Sequence, residues 1–174
     1  LFGGAIANLG NAETRAKYLP GVMSLDLLGC FAMTEVGGGS DVQNLETTAT
    51  FDPETGEFVV TTPTPSAEKA HIGNDGGELR HGVHCLLVPI RDEAGNDLPG
   101  VRTTDHGPKG GLAGVDNGRI WFDEVRVPRE ALLDRFGAVD ADGVYSSPID
   151  SVAARFFTML GTLIRGRVSV GAAA

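Results

Sequence analysis

The sequence has little cysteine and few basic residues. Its two cysteines, Cys30 and Cys85, lie far apart, whereas a structural zinc site needs closely spaced pairs of ligands. We therefore expect no metal site and interpret both as buried, reduced thiols of a reducing cytoplasm. Lys and Arg number 14 against 23 Asp and Glu, so the net charge is −9. This excess of negative charge argues against nucleic acid as a partner, because phosphate backbones require basic patches.

The sequence also lacks long hydrophobic runs. No stretch reaches the roughly 18 apolar residues of a transmembrane helix, and no signal-peptide pattern is visible. Because the sequence starts at Leu1 and stops within a helical pattern, we expect a piece of a longer chain. Glycine, in contrast, is abundant at 25 residues, which favours a turn-rich β fold with ligand-contacting loops over a helix bundle.

Helices are predicted at the two ends of the sequence. The first covers residues 11–18, with Asn11 as N-cap and Pro20 just beyond its end. The last follows Ser147, its predicted N-cap, with apolar residues at helical spacing from Val152 onward. Between them, strands are predicted from β-branched and apolar runs. These runs cover residues 25–33, 47–51, 57–62, 83–90 and 118–128, with a hairpin turn at 52–56.

The segment that follows the first apolar run carries the strongest functional signal. Thr34 and Glu35 precede three consecutive glycines, and Ser40 and Asp41 follow them. A threonine hydroxyl both donates and accepts hydrogen bonds, and glycine lets backbone approach a flat or charged ligand closely. The alternative is that Thr34 and Glu35 merely leave a strand and that the glycines form a turn.

Residues 31–40 match the aromatic-x-x-Thr-Glu-x-Gly-x-Gly-Ser motif of acyl-CoA dehydrogenases and acyl-CoA oxidases. Residues 18–20 and 125–133 resemble the entry to and exit from the central domain of that family. The oxidase branch is favoured by further segments, namely 84–92, 98–101, 105–109, 116–118 and 142–145. The sequence is therefore identified as resembling acyl-CoA oxidases along nearly its whole length.

The resemblance implies a mainly β fold, in which an acyl-CoA dehydrogenase-like central β-barrel or sandwich domain is flanked by helices of partial α-helical domains. The implied boundaries are 1–22 for the end of an N-terminal helical domain, 23–142 for the central domain and 143–174 for the start of a C-terminal helical domain. It further implies FAD as the cofactor and acyl-CoA as the substrate. The implied flavin contacts are Phe31, Met33, Thr34 and Gly73, and the implied substrate contacts are Ser40 and Arg167.

Two departures from the family pattern stand out. His71 occupies the place of an aromatic residue in the second flavin loop, where it either stacks on the ring or is an exposed histidine. Residues 75–80 replace a whole strand of the family, so that either the strand is deleted or residues are missing from this sequence. Lys109 in its glycine loop either meets a phosphate or, as the stronger explanation, contacts no ligand. A solvated helix face explains Arg155 and Arg165 as well as a ligand does.

The implied activity is oxidation of acyl-CoA to trans-2-enoyl-CoA, with electrons passed to O2 to give H2O2 in fatty acid β-oxidation. The catalytic base, a glutamate, is expected beyond residue 174, so none of the residues present is assigned to that role. A homodimer is implied, in a bacterial-type cytoplasm or, for a eukaryotic protein, in peroxisomes. Two alternatives stay open: a dehydrogenase that uses an electron-transfer flavoprotein, and a non-catalytic β module that binds a partner.

Overall fold

The computed structural model of the protein describes residues 1–39, 41–69, 81–108, 110 and 117–173, and in the last helix the side chains up to residue 161 and that of Ile164. The chain divides into two compact units. The first comprises residues 1–31, 81–87 and 129–174, and the second residues 32–80 and 88–128. In the described residues, no helix combines the length and the apolar character needed to cross a membrane.

Three helices dominate the first unit: α1 (Phe2–Leu9), α2 (Ala12–Ser24) and α3 (Val152–Ala173). Apolar residues of α1 and α3 meet in a small core, to which α1 contributes residues spaced by four positions, whereas the buried residue of α2 is Thr14. The buried members are Ala5, Leu9, Leu133 and Met159, with Phe31, Cys85, Leu87 and Phe136 packed against them. A short hairpin of β6 (Ala138–Val139) and β7 (Tyr145–Ser146) completes this unit.

The prediction of Asn11 as N-cap is confirmed, since its side chain accepts a hydrogen bond from the Thr14 N–H at 2.8 Å. The predicted end of the helix at residue 18 is wrong, because α2 continues through Pro20. A proline inside a helix removes one hydrogen bond without necessarily ending the helix. The helix ends instead where Leu25 adopts a left-handed conformation with φ 66°.

In its described residues, the second unit contains five strands: β1 (Thr48–Asp52), β2 (Glu57–Thr61), β3 (Val101–Asp105), β4 (Gly118–Phe122) and β5 (Val125–Pro128). The predicted hairpin is confirmed as β1–β2, with Gly56 at φ 70° in its turn. Strand β5 extends that sheet antiparallel to β2, and β3 pairs with β4 in a second sheet. The mainly β central fold expected from the sequence is thus confirmed.

Thr62 joins the two sheets of the second unit. Its N–H donates to the Phe122 carbonyl at 2.8 Å, and its hydroxyl accepts from the Phe122 N–H at 3.0 Å. The core beside it is apolar on both sheets, as expected for packed β layers. Its buried members include Phe58, Val60, Val101, Ile120, Phe122, Val125 and Val127.

Three predicted strands, at residues 25–33, 83–90 and 118–128, are not regular continuous strands in the structure. Residues 26–34 are irregular, and Leu25 and Leu28 are 73% and 79% exposed. Residues 83–87 lie beside residues 131–133, and two backbone hydrogen bonds join the segments: the Leu87 N–H donates to the Ala131 carbonyl, and the Leu133 N–H donates to the Cys85 carbonyl. Residues 83–87 nevertheless form no regular strand. The run 118–128 is broken into β4 and β5, which belong to different sheets.

The expectations for the cysteines and for the last helix are corrected in part. Cys85 is half-buried, and burial raises the pKa of its thiol to about 12, whereas Cys30 is exposed. Helix α3 starts at Val152, later than predicted. Its N-cap is Ser151, whose hydroxyl accepts a hydrogen bond of 3.3 Å from the Ala154 N–H. The Ser147 hydroxyl instead donates to the Phe136 carbonyl at 2.7 Å.

Candidate functional site

The segment around Thr34 begins the second unit and alternates between inward and outward side chains. Met33 and Glu35 are 7% and 1% exposed, whereas Val36 is 47% exposed and Thr34 is half-buried. Such alternation follows from extended backbone, in which successive side chains point to opposite sides. Thr34 therefore faces away from the interior that receives Met33 and Glu35.

Thr34 has unused hydrogen-bonding capacity. Neither its hydroxyl nor its backbone N–H has a hydrogen-bond partner among the described residues. A half-buried hydroxyl and N–H in this state can both donate to an electronegative group of a ligand. This is the chemical property that the sequence analysis assigned to Thr34.

The glycine run after Thr34 forms a turn whose N–H groups are already used. Gly37 donates to the Ser66 carbonyl at 2.9 Å, and Gly38 and Gly39 both donate to the Glu35 carbonyl at 3.2 Å. Gly39 has φ 53°, and a Cβ on Gly37 would lie 2.6 Å from the Ser66 Cβ. These glycines thus serve the tight turn and its approach to residue 66, and their N–H groups do not form a cradle for an anion.

Glu35 is anchored inside the second unit by three donors. Its Oε2 accepts from the Glu46 N–H at 2.8 Å, and its Oε1 accepts from the Thr47 N–H at 2.9 Å and from Lys69 Nζ at 2.5 Å. Burial alone would raise the pKa of this carboxyl, but the hydrogen bonds and the charge of Lys69 together hold it below its ordinary value. Glu35 is therefore an ionised structural anchor, held by a cation and two backbone N–H groups, and no candidate for a catalytic base.

Lys69 is the cationic partner and was not identified by sequence reasoning. Its side chain is 0% exposed, and burial lowers its pKa to about 8 in spite of the opposing effect of Glu35. Its backbone exchanges two hydrogen bonds with Ile120 of β4, at 2.8 and 2.7 Å. Lys69 thus connects the turn that carries Thr34 with the β3–β4 sheet.

The other sequence-assigned residues are distributed differently. Phe31 belongs to the first unit, where it packs partly buried against the apolar core. Ser40, Gly73, His71 and Lys109 lie outside the described residues, as do residues 75–80 and the side chains of Arg165 and Arg167. Of the six assigned contacts, the structure thus describes only Phe31, Met33 and Thr34, and the roles of all six stay predictions.

Arg155 corrects the expectation of a solvated helix face. It is 7% exposed, and its Nη1 donates to the carbonyls of Ile149 and Asp150 at 2.6 and 3.1 Å. Its guanidinium lies 5.5 Å from the centre of the Tyr145 ring, on which His81 stacks at 4.0 Å. Arg155 therefore organises the start of α3 within the first unit.

Comparison with known proteins identifies the family. The family model described as "Acyl-CoA dehydrogenase, middle domain" matches residues 30–125. Two curated relatives are each 46% identical over 98% of this chain: acyl-coenzyme A oxidase 2, peroxisomal, of Arabidopsis thaliana and the acyl-coenzyme A oxidase-like protein of Mus musculus. The chain covers 28% and 29% of their lengths, so it spans less than a third of each.

Solved structures give the same result. Acyl-CoA oxidase-2 of Caenorhabditis elegans, bound with FAD, ascaroside-CoA and ATP, superposes with a TM-score of 0.85 at 32% identity, over 96% of this chain and 27% of that one. Acyl-CoA oxidase1 of Yarrowia lipolytica superposes with a TM-score of 0.83 at 34% identity, over 97% and 26%. Because these relatives are acyl-CoA oxidases, the predicted likeness to the oxidase branch is confirmed. With the family model covering more than half of its residues, the chain belongs to the acyl-CoA dehydrogenase middle-domain family.

Proposed function

We propose that the protein containing this chain is a FAD-dependent acyl-CoA oxidase. It would convert acyl-CoA and O2 into trans-2-enoyl-CoA and H2O2, with the present residues forming much of the flavin- and substrate-binding domain. The proposal is supported by relatives named acyl-CoA oxidases and by the C. elegans enzyme solved with FAD. The observation in this chain that carries it is the hydroxyl of Thr34, which stands at the motif position of a flavin contact and has no hydrogen-bond partner among the described residues.

The described residues fit a flavin at this point. A bound isoalloxazine offers carbonyl oxygens and ring nitrogens, which are acceptors for the hydroxyl and backbone N–H of Thr34. FAD would supply the acceptor for the hydride that leaves the β-carbon of the substrate. The role of Thr34 is then to orient the ring and to place a donor where negative charge develops.

The remaining assignments complete the proposal. By the resemblance, Phe31 and Met33 would line the flavin, although the buried Met33 side chain faces the interior, away from Thr34. Gly73 would provide a second flavin contact, and Ser40 and Arg167 would bind the acyl-CoA. A glutamate beyond residue 174 would remove the α-proton, since Glu35 is committed to its own three donors. We further propose the domain boundaries 1–22, 23–142 and 143–174, a homodimeric enzyme and, on the names of the relatives, a peroxisomal location.

The proposal is tested with the full-length protein and the variant Thr34→Ala. We expect the wild type to be yellow, to contain FAD and to release H2O2 with acyl-CoA in the absence of an added electron acceptor. Loss of one hydrogen bond of about 1.4 kcal/mol should weaken FAD binding about tenfold in Thr34→Ala. The matched control is Thr50→Ala, an exposed threonine of β1, which should keep wild-type FAD content.

Each part of the proposal has its own refuting result. A wild-type protein without flavin would refute flavin chemistry and favour a binding module. Flavin reduction by acyl-CoA without peroxide release, but with electron transfer to an electron-transfer flavoprotein, would show a dehydrogenase. If Thr34→Ala matched Thr50→Ala in both FAD affinity and rate of flavin reduction, Thr34 would not be the contact.

A further inference from the structure

The most deeply buried polar pair of the second unit lies directly beside Thr34. Glu35 and Lys69 are 1% and 0% exposed, and Nζ and Oε1 are 2.5 Å apart. Two buried charges are expensive to remove from water, and an apolar pair of similar volume is often equally stabilising. Stability alone therefore gives no specific reason for an ion pair at this place.

The geometry provides such a reason. The carboxylate of Glu35 accepts hydrogen bonds from the backbone N–H groups of Glu46 and Thr47, while its carbonyl accepts from the N–H groups of Gly38 and Gly39. Both the side chain and the main chain of Glu35 are therefore fixed by hydrogen bonds. Since Thr34 is its immediate neighbour, the direction of the Thr34 hydroxyl depends on how firmly Glu35 is held.

Residues 66–69 accept the hydrogen bonds that hold the far side of the glycine turn. The Val36 N–H donates to the Glu68 carbonyl at 3.1 Å, and the Gly37 N–H donates to the Ser66 carbonyl. Glu46 adds a further tie, because its carboxylate accepts from the hydroxyl of Ser66 at 2.8 Å. The ion pair lies at the buried end of this set of contacts, and Lys69 fixes it to β4 through Ile120.

We propose that the Glu35–Lys69 ion pair is a positioning device that fixes the bend at residues 34–39 and thereby aims the Thr34 hydroxyl at the flavin. The inference rests on the proposed flavin function. Neither charged group touches the ligand; both act through Thr34. Replacing the pair by neutral side chains of similar size would keep the interior filled but leave one of the two backbone donors of Glu46 and Thr47 without its acceptor.

The test compares two double variants of the full-length protein. Glu35→Gln/Lys69→Met removes the buried pair without leaving a lone charge, which the single variants would do. Asp52→Asn/Arg126→Met removes an exposed pair of the same unit, in which Arg126 Nη1 lies 2.9 Å from Asp52 Oδ2. Urea unfolding, the FAD dissociation constant, the visible flavin spectrum and the kinetics of flavin reduction are measured for both.

For Glu35→Gln/Lys69→Met, we expect a folded protein with a lower urea midpoint, because one buried backbone N–H loses its acceptor, and an FAD dissociation constant raised about tenfold. The flavin spectrum should shift, and kcat for flavin reduction should fall about tenfold, because small displacements of a positioning group are costly. KM should change little. The exposed-pair control should match the wild type in all four measurements.

Two outcomes would overturn the inference while leaving the proposed function intact. The first is a folded Glu35→Gln/Lys69→Met protein with wild-type FAD affinity, spectrum and kcat. If that variant does not fold, Glu35→Asp decides, since it keeps the charge and shortens the reach by one methylene; wild-type flavin properties in Glu35→Asp would then be the overturning result. A wild-type protein that binds no FAD would instead refute the proposed function itself.

Discussion

The pH dependence of the first unit provides a quantitative test of its histidine cluster. His84 is 9% exposed, and its Nε2 lies 3.3 Å from the His81 carbonyl and 3.2 Å from the Tyr145 hydroxyl. Burial lowers its pKa to about 4, and the charges of Arg155 and His81 act in the same direction. The pKa of His81 is also lowered, by burial and by Arg155. We therefore expect His84 to be neutral in the folded protein down to mildly acidic pH.

The sign and size of the effect follow from linkage. In the unfolded chain His84 has a pKa of about 6.5, so below this pH the unfolded state binds more protons than the folded state. The stabilisation is complete above about pH 6.5 and is lost as the pH falls towards the folded pKa of about 4. Between pH 7.5 and pH 5, the contribution of His84 amounts to about 2 kcal/mol of the free energy of unfolding.

Hydrogen exchange in the full-length protein measures this loss locally. The reporters are the amides of Leu87 and Leu133, which are bonded to the Ala131 and Cys85 carbonyls in the first unit. After correction for intrinsic exchange, their opening free energy should fall from pH 7.5 to pH 5 in the wild type, with about 2 kcal/mol of the fall due to His84 and a further part to His81, whose pKa is lowered as well. In His84→Gln, which does not titrate, the fall should be smaller by the part due to His84. An equal fall in both proteins would refute the assignment to His84.

Two further substitutions test packing outside the proposed site. Arg155→Met should lower the free energy of unfolding by about 3 kcal/mol, because it removes a buried guanidinium that donates to the carbonyls of Ile149 and Asp150. The half-buried Arg129 pairs only with the exposed Glu130 next to it among the described residues, so Arg129→Met should change this free energy by less than about 0.5 kcal/mol; urea titration distinguishes the two variants. Gly100→Ala should destabilise the β unit more than Gly95→Ala. Both glycines have positive φ, but only at residue 100 would the new Cβ lie 2.6 Å from a carbonyl oxygen, that of Asp123. Equal thermal midpoints for the two alanine variants would contradict this argument.

Local signals in the sequence were sufficient for the hairpin and for one helix start. The β1–β2 hairpin is specified by β-branched runs around a turn that contains Pro53 and Gly56. Asn11 caps α2 through a contact only three residues away. Such features depend on neighbours in the sequence, so they can be recognised without knowledge of the fold.

The wrong strand predictions share a physical cause, which is that a strand requires a partner. In the part of the chain that the structure describes, the apolar run at 25–33 pairs with no regular strand, and residues 83–87 make only a short backbone contact with residues 131–133. The run 118–128 changes sheets at residue 124, where Glu124 adopts φ 50°. A left-handed conformation at a glutamate is uncommon and has no signal in the sequence.

The same distinction between local signals and distant partners applies to the residues of the candidate site. Thr34 was identified from a motif, since the residue types and their order carry the resemblance. The resemblance left Glu35 with a role in its loop but did not identify what holds it there, because a carboxylate beside a glycine turn is ordinarily exposed. Lys69 was passed over for the same reason, since lysine is almost never fully buried unless it is paired.

The alternation around Thr34 shows why the pair could not have been found by pattern alone. If Met33 is inside and Thr34 outside, alternation places residue 35 inside, yet hydropathy places a glutamate outside. The conflict is resolved by Lys69, which is 34 positions away in the sequence and supplies the buried positive charge. Places where pattern and hydropathy disagree are expected at functional or strained sites. The disagreement at residue 35, immediately beside the half-buried hydroxyl of Thr34, is therefore an independent reason to look for function at this bend.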